Sequence, residues 1–78
     1  MIKCTITSVK NTTVYSDIKN IILPAFSGYM EILSGHAEAF VMLKKGEIIL
    51  RSLNQADQNI KIDGGEFYFK DNVATIVL

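Results

Sequence analysis

Turn-forming residues recur roughly every 8–12 positions along this chain, and that rhythm constrains its fold more than anything else in it. No stretch keeps a 3.6-residue apolar period over the roughly 11 residues an amphipathic helix needs. Short strands fit between such turns and long helices do not, so the chain reads as all-β, a sandwich or barrel. The pattern is densest in Leu23 to Leu43, which holds the only proline (Pro24), the only histidine (His36) and two glycines, Gly28 and Gly35. Turn formers interrupt it at 24–28 and 34–35. The chain there is expected to leave a strand, turn, form a short strand, turn again and enter another.

Either side of that centre the same grammar holds. Residues 2–9 alternate, with Ile2, Cys4 and Ile6 on one face and Lys3, Thr5 and Thr7 on the other, the period of a half-buried strand. Asn11-Thr12-Thr13 reads as a turn, Val14-Tyr15 as a short strand, and Ser16-Asp17 as punctuation. Ile18 to Leu23 is a β-rich run that Pro24 ends, because proline cannot donate to a ladder. Ala37 to Leu43 is mostly apolar. Lys44-Lys45-Gly46 reads as a hairpin turn, with Glu47 to Leu53 returning. Asn54 to Asn59 is polar and turn-like. Ile60 and Ile62 alternate with Lys61 and Asp63. Asp63-Gly64-Gly65 is a strong turn signal, since glycine adopts positive φ freely. Glu66 to Lys70 and Val73 to Leu78 are two more strands around Asp71-Asn72. A helix over 37–45 is the competing reading. The composition of Ala37 to Lys45 favours it, but the turn rhythm favours strand.

Composition narrows function chiefly by exclusion. A chain of 78 residues makes one domain, residues 1–78, with a small core and modest stability. Eight basic residues against eight acidic ones give no electrostatic footprint for nucleic acid. No apolar run approaches the roughly 18 residues of a spanning helix. The alternating N-terminus is not a signal peptide, which needs an unbroken apolar core. One cysteine cannot make an internal disulfide, and no metal-ligand spacing surrounds it.

The residues able to carry chemistry stand alone. His36 has no second histidine or cysteine near it in sequence to share a metal or a proton, so a structural hydrogen bond or an interface contact is the expectation. Cys4 alternates onto the apolar face of its strand, where a thiol behaves as a small hydrophobe. Gly64-Gly65 lacks the following Lys and helix of a phosphate loop. Phe67 and Phe69 share a strand face suited to core packing, with Tyr68 on the other. Lys44 and Lys45 read as a solvated hairpin end. No acid–base or nucleophile pair appears, and no cofactor or metal is called for. The residues therefore point to a binding or structural role and not to an enzyme.

Two stretches carry a resemblance. The first is Leu23-Pro24-Ala25-Phe26-Ser27-Gly28-Tyr29-Met30-Glu31-Ile32-Leu33-Ser34-Gly35-His36-Ala37-Glu38, followed by Phe40 to Gly46. The second is Ile62-Asp63-Gly64-Gly65 followed by Asn72-Val73-Ala74-Thr75-Ile76-Val77. Their order, spacing and Gly-His-Ala core resemble the β-domain of the ε subunit of F-type ATP synthases, whose mitochondrial counterpart is called δ. The match spans most of residues 15–78. The resemblance implies a flattened β-sandwich of about ten short strands in two sheets. It further implies a non-catalytic rotor subunit of a proton-translocating, bacterial ATP synthase. Such a subunit links the γ subunit to the polar loops of the membrane c-ring, peripheral to the cytoplasmic face of the inner membrane. The interface residues expected from it are Tyr29, Met30, Glu31, His36, Phe40 and Met42. The alternative is a free-standing small sandwich that binds a peptide or carbohydrate at a sheet edge.

The departures from the family pattern are specific. Tyr29 stands where the family usually has Glu, and Glu31 where it has Gly. Ser34 and Glu38 replace two prolines that flank Gly-His-Ala. If position 31 needs positive φ, Glu31 costs about 1–2 kcal/mol there. If residues 29–31 are extended, Glu31 lies on the face of Tyr29 and restores the missing carboxylate. Losing both prolines is expected to loosen the loop. Family members continue into a pair of C-terminal helices; this chain stops at Leu78, so either a subunit that lacks them or a shortened piece of a longer one is expected, the first being preferred.

Overall fold

The computed structural model describes residues 1–78 and contains six strands and no helix. These are β1 (Ile2–Thr7), β2 (Thr12–Ala25), β3 (Gly28–Leu33), β4 (Ala39–Ser52), β5 (Gln58–Lys70) and β6 (Val73–Val77). They follow the order β1-β6-β5-β4-β2-β3, and a further β1–β2 pairing closes the sheet on itself. Only the β1–β6 pair is parallel. The all-β expectation holds, and the helical alternative over 37–45 gives way to strand β4.

The strand count differs from the expected ten because β2, β4 and β5 each run through sequences that read as breaks. Counting those three long strands twice and adding β1, β3 and β6 gives nine segments, close to the expectation. Each long strand bends and serves both layers. One layer holds β1, β6 and residues 12–17, 39–44 and 64–70. The other holds β3 and residues 18–25, 46–52 and 58–62.

The bends have local causes. At Ser16-Asp17 the β1–β2 register jumps from Cys4↔Tyr15 to Ile2↔Ile18, so β2 carries one extra residue there. Asp17 adopts φ 56°, the αL conformation that a short polar side chain tolerates. Pro24 does not end β2. It falls where the β2–β4 ladder is broken, between Ile22↔Ile49 and Ala25↔Leu43, and no ladder bond to β4 asks for its missing N–H. Lys44-Lys45-Gly46 and Asp63-Gly64-Gly65 are not turns. They lie opposite one another across β4 and β5, with Lys44↔Gly64 and Gly46↔Ile62 paired. Gly64 and Gly65 use φ 146° and 152° to bend the ribbon over the core without reversing it. The true β5–β6 reversal is Asp71-Asn72, whose two positive φ values make a tight hairpin turn. The turn expected at 11–13 lies instead at 8–11, where the Ser8 N–H donates to the Asn11 carbonyl at 2.8 Å, and Thr12 and Thr13 already belong to β2.

The core fills the space between the layers. Ile2, Cys4, Ile6, Phe67, Phe69, Ala74 and Ile76 face Ile18, Ile21, Leu23, Ile32, Ile48 and Leu50. The Phe67 and Phe69 rings stack with centroids 6.3 Å apart. Burial pushes the Cys4 thiol up to about 12, so it stays protonated at neutral pH. The molecule is flattened, 27 × 26 × 19 Å.

Candidate partner-binding surfaces

Closing the sheet leaves two outward faces, and strand register shows what each presents. On the β1–β6 layer one row runs Val14, Thr5, Thr75, Tyr68, Phe40. The neighbouring row runs Thr12, Thr7, Val77, Glu66, Met42. Glu66 is the one charge in the two rows. Phe40 is 62% exposed, Met42 49% and Val14 52%, and none has an apolar neighbour sheet above it. A flat patch of aromatic, aliphatic and threonine side chains on a small domain marks an interaction surface.

The opposite face is mixed, with exposed Leu33 and half-exposed Ile22 and Ile49 beside its polar groups. Tyr29, Glu31 and Leu33 point outward from β3, while Met30 and Ile32 alternate inward. Met30 is half-buried against the core, so it does not share the outward face of Tyr29 and Glu31. Glu31 lies in extended strand and is not among the residues with positive φ, so it carries no αL strain. Its carboxylate accepts a hydrogen bond from Asn20 Nδ2. Tyr29 lies across Gly46, and its hydroxyl accepts the Glu47 N–H at 3.1 Å. A recess of about 490 Å³ opens beside it at the ladder break, lined by Lys45, Gly46, Glu47, Lys61, Ile62 and Asp63.

His36 belongs to neither face. It sits in the β3–β4 loop, its Nδ1 2.8 Å from the Ala37 carbonyl oxygen and its ring edge-on to Phe69 at 6.1 Å. Three hydrogen bonds hold the loop. The Gly35 N–H donates to Asn72 Oδ1 at 2.7 Å, the His36 N–H to the Leu33 carbonyl at 3.1 Å, and the Tyr68 hydroxyl to the Glu38 carboxylate at 2.6 Å. That last bond raises the Tyr68 pKa above its usual value, because ionising the hydroxyl forfeits the bond and sets two negative charges side by side. Glu38 thus replaces a proline with a tether.

The structure therefore divides the expected site residues. Phe40 and Met42 lie on the outer face of the β1–β6 layer, Tyr29 and Glu31 on the β3 face, His36 at the rim and Met30 half-buried beneath β3. No group of three histidine, cysteine or acidic side chains is placed to hold a metal. Sequence reasoning missed Asn20, which follows Lys19 inside the β-rich run Ile18 to Leu23 and is only 3% exposed. It also missed Val14, Thr5, Thr75, Tyr68 and Val77 as members of the outer face of the β1–β6 layer. Their outward phase was legible strand by strand, but not the register that aligns them.

Six strands closed into one flattened sandwich, with no helix, define a small β-sandwich domain. The chain belongs to the ATP synthase delta/epsilon chain β-sandwich domain family, whose model matches residues 1–78. It is 28% identical over 61 residues to the ATP synthase epsilon chain of Chlorobium limicola, and 30% identical over 61 residues to that of Chlorobaculum tepidum. Each match covers 78% of this chain and 69% of the relative. Among solved structures, a chain of the Euglena gracilis mitochondrial ATP synthase superposes with TM-score 0.88 at 22% identity. A chain of the Tetrahymena thermophila mitochondrial ATP synthase central stalk and c-ring does so with TM-score 0.81 at 13% identity. Both cover 97% of this chain, which spans 49% of the first and 61% of the second; at these identities they speak for the fold.

Proposed function

We propose that this domain is the foot of a non-catalytic central-stalk subunit in a bacterial, proton-translocating F-type ATP synthase, joining the γ subunit to the polar loops of the membrane c-ring. The observation that carries the reading is the contrast between its two faces. A permanent partner calls for a flat apolar patch, and the rows through Phe40, Tyr68 and Met42 supply one. We assign that face to γ. A polar loop calls for charged and hydrogen-bonding groups, and the β3 face with Glu31 and Tyr29 supplies those. We assign that face to the c-ring. The family and the Chlorobi epsilon chains support membership in such a complex. The domain then works mechanically, at the cytoplasmic surface of the membrane, transmitting rotation without doing chemistry.

The test is co-purification with γ from the same source, followed by size-exclusion chromatography. A stoichiometric complex is expected from the wild type. Phe40→Asp places a charge at the β4 end of the patch, away from the core, and should weaken that complex at least tenfold while leaving the circular dichroism spectrum unchanged. A folded wild-type chain that binds no γ, or a Phe40→Asp variant that binds as well as wild type, would overturn the assignment.

A further inference from the structure

The outer face of the β1–β6 layer carries one charge that the chain leaves without a partner. Glu66 is exposed on β5, and register sets it between Met42 of β4 and Val77 of β6. Both neighbours are themselves exposed, Met42 49% and Val77 45%. Directly opposed residues lie about 5 Å apart at Cβ, so an apolar side chain flanks the carboxylate on either side. Past Val77 the row continues through Thr7 and Thr12, whose hydroxyls bond one another at 2.6 Å. Glu66 accepts no side-chain hydrogen bond, and the one ion pair of the molecule, Arg51 with Asp57, belongs to the other layer. The charges at the far margin of the face need no such help. There Lys70 and Lys3 both pair with Val73, while Glu38 and Lys70 line one recess, so base and acid stand together.

A partner laid flat on the row through Phe40 and Tyr68 also covers the adjoining row and strips water from Glu66. An ionised carboxylate sealed in that way without a counter-charge is strongly unfavourable. We infer that Glu66 is the specificity-determining residue of this face, forming an ion pair with one lysine or arginine of the γ subunit seated between Met42 and Val77. The inference rests on the assignment of the face to γ and adds what γ must present there. Apolar burial is non-directional and tolerates a slide along the strands. A single charge pair fixes the register of docking, and a partner with an apolar or acidic side chain at that point is rejected.

The experiment measures binding of the chain to γ from the same source. Glu66→Met removes the charge and keeps the bulk. If apolar fit alone held the face, this variant would bind more tightly; with the ion pair it strands the γ cation and should weaken binding by about tenfold or more. Added salt should weaken wild type more than Glu66→Met. Glu66→Lys should bind more weakly still, and changing one γ lysine or arginine to glutamate should restore it while weakening wild type. Glu66 is exposed, so the thermal midpoint of the free chain should change little in either variant. A folded Glu66→Met that binds as tightly as wild type, while Phe40→Asp binds more weakly, overturns the ion pair and leaves the γ assignment standing. Failure of every basic γ position to rescue Glu66→Lys has the same meaning. A folded wild-type chain that binds no γ overturns both.

Discussion

Gly46→Ala tests whether the junction between the two layers is as tightly built as its contacts indicate. Gly46 is not among the glycines with positive φ, so alanine is free to adopt its backbone conformation. On backbone entropy alone the substitution stabilises by about 0.4–1 kcal/mol. The contacts reverse that sign. A Cβ at position 46 would lie 2.7 Å from Pro24 Cβ, 3.2 Å from Pro24 Cγ and 2.9 Å from Tyr29 Oη. The proline ring is fully buried and rigid, so it cannot retreat. The tyrosine can swing away, but then the Glu47 N–H loses its 3.1 Å acceptor. Overpacking costs about 1–3 kcal/mol and the lost hydrogen bond about 1 kcal/mol, which leaves a net destabilisation of about 2 kcal/mol after the entropy gain. For a domain of this size that lowers the thermal midpoint by about 8–16 °C. Urea unfolding followed by far-ultraviolet circular dichroism measures it. The control is the same change in a Pro24→Gly background, where both proline contacts are gone and the cost should fall below about 1 kcal/mol. A neutral or stabilising Gly46→Ala, or an equal cost in both backgrounds, would refute the steric argument.

The two glycines that bend β5 should differ in their tolerance. At Gly64 an added Cβ meets only the Leu43 carbonyl at 3.4 Å, so Gly64→Ala should cost the φ strain, about 1–2 kcal/mol. At Gly65 it meets the Val77 carbonyl oxygen at 2.6 Å, in the β5–β6 ladder, so Gly65→Ala should cost at least about 1 kcal/mol more by the same unfolding assay. Cys4 predicts an alkaline limit. Its thiol holds its proton to about 12 in the fold against 9.0 otherwise, so the folded state binds more protons across that window. Stability from this group is intact below pH 9 and is lost as pH rises toward 12, by up to about 1.4 kcal/mol per unit. Cys4→Val should flatten that slope in pH-dependent unfolding; an identical slope would show that other groups carry it.

The pattern of strand faces was legible in the sequence, because side-chain direction has a period of two and needs no partner to be read. Ile2, Cys4 and Ile6 are buried as their alternation requires, and so are Phe67 and Phe69. The motif from Leu23 to Glu38 pointed to the family that the whole-chain match establishes. Where strands end was not legible. Lys45-Gly46 and Gly64-Gly65 have the composition of turns, but glycine freedom serves a bend in a continuous strand as readily as a chain reversal. Only the opposing strand decides between them, and β4 and β5 bend together because each covers the same core. The faces as surfaces were likewise a tertiary matter. Phe40, Tyr68, Thr75, Thr5 and Val14 come from five strands spread over the chain, and register alone sets them in one row. Asn20 shows the limit most clearly. In sequence it is a polar residue beside Lys19 in a β-rich run, and only the tertiary fold buries it and brings Glu31 of β3 to its amide.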